Sequence, residues 1–459
     1  MKEKKTGEGL FVINIAAFLV PFMGASLNLA LPSIGETFSM KAVTLTWLAT
    51  SYLISTAVFQ IPLAKVADIV GRRKIFILGL SVFSLSTLLS GFALSAQVLI
   101  FLRVLSGIGS AMIFGTNIAI LTSLVSAEKR GQALGINTAV VYAALALGPF
   151  LGGIITDLLG WQGIFYVTAG VGLLVLFLAH FFLKGEWMES RGEKFDLLGS
   201  LLHGTALASL IYGFSLLPSK IGFLFLLIGI CLFIGFFFFE KKQLYPVFNV
   251  RLFGNNKVFA LSSLAALINY SATAAIAFML SLYLQYVRGL EASVAGLILI
   301  SQAFVQSLFS LVVGQFSHLY SPSKMATLGM FIIVIGISGL VFLSPTTPYW
   351  LIVLLLMFLG IGFGIFSSPN THVIMSSVDR RYYTQASATT GTMRLTGQAF
   401  SMGIASMAIS FYVGNQKISP ELYTAFMKSI KMTFIIFVSL CLLGMYASSA
   451  RIEKKKERV

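Results

Sequence analysis

Fourteen apolar runs, each roughly the twenty residues a membrane pass requires, alternate with short polar stretches along this chain. They cover residues 11–33, 44–64, 75–95, 99–122, 133–156, 163–183, 197–217, 221–239, 258–283, 293–317, 324–343, 349–371, 386–412 and 431–450. Wound as an α-helix, such a run crosses the bilayer core with every backbone amide paired inside the run. A membrane barrel would instead show short segments of alternating polarity, and these do not occur. The pattern therefore predicts an all-helical integral membrane protein with fourteen passes and both termini on one side.

Composition agrees. Charged residues make up 10% of the 459-residue chain, against about 25% in soluble proteins. The net charge of +16 raises the question of nucleic acid, but the placement of the bases answers it. Twenty-four of the 32 Lys and Arg residues lie in the segments on the N-terminal side of the runs and six on the opposite side. Bases accumulate on the cytoplasmic side and face anionic lipid there, so both termini are expected inside a cell membrane, with no nucleic-acid partner. Cys231 and Cys441 sit within apolar runs and read as packing residues, with no disulfide framework and no metal site. No phosphate-cradling G-x-x-x-x-G-K-[ST] occurs, so no nucleotide or other cofactor is expected, and no enzyme activity.

Three clusters interrupt the apolar background. The first is the loop 62–74, P-L-A-K-V-A-D-I-V-G-R-R-K, between two uncharged runs. Gly71 permits the turn, and Asp68 is placed to bond neighbouring helix ends or the bases Arg72 and Arg73. A second loop, 314–324, looks like a worn copy, with His318 at the Asp position and Ser321 at the Gly position. That echo predicts two six-helix halves. The expected boundaries are 1–183, a linker with two inserted helices at 184–257, a second half at 258–450, and a basic tail at 451–459. The second cluster is Arg103 inside the fourth run, followed by Gly107 and Gly109. A charge there costs at least ~2.5 kcal/mol, so it serves a function or snorkels to the headgroups. The third is Gly148-Pro149-Phe150-Leu151-Gly152-Gly153, a kinked helix that neighbours can approach closely.

These clusters resemble the motifs of the major facilitator superfamily. D-x-x-G-R-R-K matches its loop between helices 2 and 3, with Ala64 and Val66 departing. Arg130 begins a segment similar to its R-G-x-A loop. R-x-x-x-G-x-G at Arg103 resembles its helix 4 motif, whose Arg is linked to proton coupling. A-x-x-x-G-P-x-x-G-G resembles the helix 5 motif of its exporters and antiporters, with Ala144 departing. Smaller matches at residues 28–34, 47–52, 246–259, 360–369 and 394–403 are similar to the fourteen-helix drug:proton antiporters. The resemblance implies a secondary transporter working by alternating access. It further implies a latch of Asp68, Gly71, Arg72, Arg73 and Arg130, and a hinge of Gly148, Pro149, Gly152 and Gly153.

Against that family, Met23 replaces the acid of helix 1, and no carboxylate falls at a predicted mid-membrane position. The polar candidates for the cavity are Asn28, Tyr52, Gln60, Arg103, Asn117, Asn137, Asn269, Tyr270, Gln302, Asn370 and Arg394. Two Arg without a buried acid favour a neutral or anionic ligand, or a lipid headgroup, over a cation. The reading is export of small lipophilic compounds by a monomer, coupled to proton entry. The rivals are proton-independent exchange of a metabolite, anion or lipid, and a non-transporting sensor on the same fold.

Overall fold

The computed structural model describes residues 2–126, 129–316, 321–379 and 383–450, and among these it is all helix and connections, with no strand. The helices are α1 (Lys2–Thr37), α2 (Ala42–Val70), α3 (Arg72–Ser90), α4 (Ala96–Leu124), α5 (Arg130–Phe182), α6 (Leu197–Ser215), α7 (Lys220–Glu240), α8 (Arg251–Asn255), α9 (Lys257–Ser271), α10 (Ile276–Leu282), α11 (Ala292–Phe316), α12 (Pro322–Leu340), α13 (Tyr349–Ser376), α14 (Tyr383–Tyr412) and α15 (Tyr423–Ser449). Twelve helical stretches among the described residues are long and apolar enough to cross a membrane. Short polar side chains start several helices by accepting an orphan amide: Ser95 from Val98, Asp196 from Gly199, Ser219 from Gly222 and Asn256 from Phe259. His318 and the tail 451–459 lie outside the described residues.

Backbone approach at glycines recurs in two places with the same plan. A Cβ on Gly107 would meet the Tyr52 carbonyl at 2.7 Å, and one on Gly109 the Phe83 amide at 2.5 Å, so α4 packs directly on α2 and α3. A Cβ on Gly360 would meet the Gln302 carbonyl at 2.4 Å, and one on Gly362 the Gly329 carbonyl at 2.8 Å, so α13 packs the same way on α11 and α12. In lipid, where apolar side chains gain nothing by leaving their surroundings, such close contact is what holds helices together.

Residues 133–156 and 163–183, predicted as two runs, form the two arms of α5, joined at Gly160 in the left-handed region (φ 70°). The first arm packs on α1, where a Cβ on Gly152 would lie 2.6 Å from Ser26 Cα. The second packs on α3, where Tyr166 donates to the Gly91 carbonyl at 2.8 Å. The run 258–283, predicted as one helix, is broken at residues 272–275 between α9 and α10 and continues into a π-helical turn, Tyr283–Val287. No Pro or Gly stands at the break; Ser401 of α14 accepts the freed Ala275 amide at 2.9 Å. The α6–α7 hairpin lies outside, with Leu207 and Ile211 of α6 packed against Ala57 of α2 and Leu395 and Ala399 of α14.

Gly152→Val is expected to destabilise the protein by about 1–3 kcal/mol, because the new methyl groups have only the Ser26 backbone to occupy. Gly170, which has open space around its Cα, is the control: Gly170→Ala leaves the thermal unfolding midpoint in detergent unchanged.

Candidate functional site: a loop-side clasp and a central cluster

The stretch 62–74, expected as a loop, is two helix ends that meet at Gly71, and its bases are not bare. Gly71, at φ 130°, turns the chain between α2 and α3, and a Cβ there would meet the Glu186 carboxyl carbon at 2.5 Å. Conformation and space both select glycine. Arg72, buried, donates to Asp68 at 2.7 Å and to Glu189 at 2.5 Å. Glu186 accepts the Arg73 amide at 2.8 Å, and Glu193 pairs with Lys65 at 2.5 Å. The Arg73 guanidinium donates to the Leu183 carbonyl at 2.5 Å. Three glutamates of the linker, read from sequence only as a boundary of mixed charge, thus fold over the loop and neutralise it. Arg130 stands apart and donates to the Thr122 carbonyl at 3.2 Å.

On the opposite side, contacts join the first helices to the last. Thr46 bonds Ser406 at 3.0 Å, Ser281 donates to the Asn28 carbonyl at 2.6 Å, and Asp157 accepts the Ser293 amide at 2.8 Å. The seam between α5 and α11 is backbone on backbone. Gly153 faces the Ala292 carbonyl, and Gly296 faces the Pro149 carbonyl, each 2.4 Å from an added Cβ. Gly148 and Gly152 abut α1 instead, and Ser26 donates to the Gly148 carbonyl at 2.9 Å. The four small residues therefore serve two interfaces of one helix. Toward the loop side Gln132, Gly135, Ile136, Thr138 and Ala139 of α5 are exposed.

At the middle, five side chains from α4, α5, α9, α13 and α14 converge. Tyr142 of α5 hydrogen-bonds Ser367 of α13, and Tyr270 of α9 lies beside the same pair. Arg394 of α14 lies within electrostatic reach of Tyr270 and stacks over Phe114 of α4, 5.5 Å from the ring centroid. Arg394 and Tyr270 were expected here; Tyr142, Ser367 and Phe114 were not, because ordinary aromatic and hydroxyl residues in apolar runs carry no distinguishing pattern.

The other candidates scatter. Arg103 neither snorkels nor joins the central cluster. It is fully buried between α2 and α4, over the Tyr52 ring at 4.1 Å, donating to the Leu48 carbonyl at 3.3 Å, with Nη1 left unpartnered. Tyr52 bonds Ser110 at 2.7 Å. Asn117 donates to the Ile13 carbonyl and Asn137 to Asn14, each at 2.9 Å, tying α4 and α5 to α1. Asn370 donates to the Ser262 carbonyl at 3.2 Å. Gln302 is half-buried on α11, Gln60 touches α14 at Gly391, and Asn269 is buried beside the α9–α10 break with both amide atoms unpartnered. Met23 is core. Acids gather at the far face, where Glu36, Asp157 and Glu291 border a cavity of about 370 Å³ with Tyr286 and Gln285.

Within the clasp, Asp68 and Glu189 contribute unequally. Glu189 is 61% exposed and Asp68 25%, so solvent screens the former. Asp68→Asn is expected to cost about 1–3 kcal/mol of stability and Glu189→Gln less than about 1 kcal/mol. Thermal unfolding of both variants and the double variant measures the two terms and their coupling.

Comparison with known proteins places this architecture. The riboflavin transporter RibZ of Clostridioides difficile is 25% identical over 443 residues, covering 95% of each chain. The multidrug resistance protein Stp of Mycobacterium tuberculosis is 28% identical over 417 residues, covering 89% of this chain and 75% of Stp. A bacterial homolog of the human lysosomal transporter Spinster, in an inward-facing, unoccupied conformation, superposes with a TM-score of 0.71 at 17% identity over 97% of each chain. The Major Facilitator Superfamily description matches residues 13–402 and 262–456. The chain is a multi-pass membrane transporter of the cell membrane and belongs to the major facilitator superfamily.

Proposed function

We propose that the protein exports small lipophilic compounds, neutral or anionic, by alternating access and in exchange for entering protons. The observation that carries the substrate class is the central cluster: Arg394, Tyr270, Tyr142, Phe114 and Ser367 offer aromatic faces, hydroxyls and one cation. A ligand held there meets a guanidinium and no carboxylate from that cluster, which favours anions and planar neutral molecules over permanent cations. The likeness to a riboflavin transporter is compatible with a planar neutral heterocycle, and that to a multidrug resistance protein with export.

The same proposal counts fourteen passes with cytoplasmic termini. The two arms of α5 supply two of them. Polar α14 adds another: largely buried, it needs less apolar surface than a lipid-facing helix. The repeated glycine contacts of α2–α4 and α11–α13 support halves at 1–183 and 258–450, flanking the insertion 184–257. The α5–α11 seam is the pivot, and the Asp68 clasp is the latch that resets as the halves rock. One observation favours a second reading, proton-independent exchange. The acids nearest the seam between the halves, Glu36, Asp157 and Glu291, sit at its far end rather than its centre.

Reconstituted vesicles separate these readings. With a quaternary ammonium compound, an anionic amphiphile of similar size and riboflavin as probes, transport of the last two is expected to dominate and to require a pH gradient. Arg394→Ala should weaken binding of the anionic probe about tenfold, the loss of one charge-assisted contact. Asp68→Asn should slow transport at equal expression. Preference for the quaternary ammonium probe would sink the substrate class, and gradient-independent transport would establish exchange. Met23→Asp, which buries a carboxylate in the first group of helices, should add cation transport in whatever fraction remains folded.

A further inference from the structure

We infer that Asp196 and Glu240 form a proton-binding site at the loop-side end of the α6–α7 hairpin, sharing one proton between two carboxyl groups. Glu240 is the last residue of α7 and is 1% exposed. Its Oε1 accepts the Val247 amide at 2.9 Å and the Phe248 amide at 3.0 Å, while Oε2 is buried without a partner. Asp196 caps α6, with Oδ1 accepting the Gly199 amide at 2.8 Å, and its Oδ2 is likewise buried and unpartnered. The antiparallel register of the hairpin, in which Gly229 packs on Leu210 and Gly213 on Leu226, brings the two carboxyl groups to the same end, where they interact electrostatically. Two ionised carboxylates in that position are acceptors only, and they repel in a medium that screens weakly. One proton turns the pair of orphan oxygens into a donor and an acceptor.

A metal ion fits less well. Calcium or magnesium requires about six oxygen ligands, and the amides of Gly199, Val247 and Phe248 already occupy Oδ1 and Oε1. Nor does a base neutralise the pair. Lys194 on the linker, and Lys241 and Lys242 after α7, are exposed and form no ion pair with either carboxylate among the described residues. Arg251 of α8 is committed to the Lys241 carbonyl at 2.9 Å, and His203 of α6 packs on Phe236.

The site holds more than itself. Through Val247 and Phe248 it grips the segment that leads into α8 and α9, and through α6 it adjoins a helix packed on both α2 and α14. With the proton bound, the hairpin is clasped to the start of the last helices. As pH rises and the proton leaves, like charges face each other and the clasp loosens, so its stabilising effect is present at acid pH and lost toward alkaline pH. The site lies apart from the central cluster and does not depend on what is transported.

Full-length protein in detergent tests this by infrared difference spectroscopy across pH, combined with thermal unfolding at each pH. Wild type should show a protonated-carboxyl band that fades as pH rises. The band should be absent from both Glu240→Gln and Asp196→Asn, yet retained in Glu36→Gln. The unfolding midpoint of wild type should fall with rising pH. Glu240→Gln keeps the acceptor for Val247 and Phe248 and gives Asp196 a permanent donor, so its midpoint should hardly move. Asparagine at position 196 preserves the helix cap, which keeps the second variant folded. No such band in wild type, or equal pH slopes in wild type and Glu240→Gln, would overturn the inference.

Discussion

Helices in lipid are held by how closely their backbones approach, because apolar side chains gain nothing by exchanging lipid for protein. The first arm of α5 is where that constraint is met most fully. Gly148 and Gly152 bring it against Ala25 and Ser26 of α1, and Gly153 and Pro149 bring it against Ala292 and Gly296 of α11. One helix is thereby shared by both groups of helices with no room for a side chain on either face. A contact made of backbone can slide or tilt without repacking long rotamers, which suits the proposed pivot.

Charge follows a separate logic. The bases around the α2–α3 turn are balanced by Glu186, Glu189 and Glu193 from the linker, so the turn is an ordered and nearly neutral surface. Arg103 is stabilised differently, by the face of Tyr52 and a backbone carbonyl rather than by an acid. A cation so enclosed binds its helix pair together. Arg394, half-buried between Phe114 and Tyr270, is the charge proposed to meet a ligand. Two arginines that look alike in sequence thus have unlike surroundings, and the difference is one of burial.

Hydropathy alone determined that this chain is an all-helical membrane protein, because lipid leaves a backbone no other way to satisfy itself. The motifs around Asp68, Arg103 and Pro149 pointed to the superfamily, since turns, buried charges and backbone approach each need particular residue types at fixed spacing. Only the tertiary structure decided which polar residues meet. Tyr142, Ser367 and Phe114 come from three separate helices, and no local pattern marks them. The break at residues 272–275 contains no Pro or Gly and exists because Ser401, 126 residues away, takes the Ala275 amide. Glu186, Glu189 and Glu193 read as a solvated linker until the fold lays them on the loop, because an ion pair between distant segments is written in neither segment by itself.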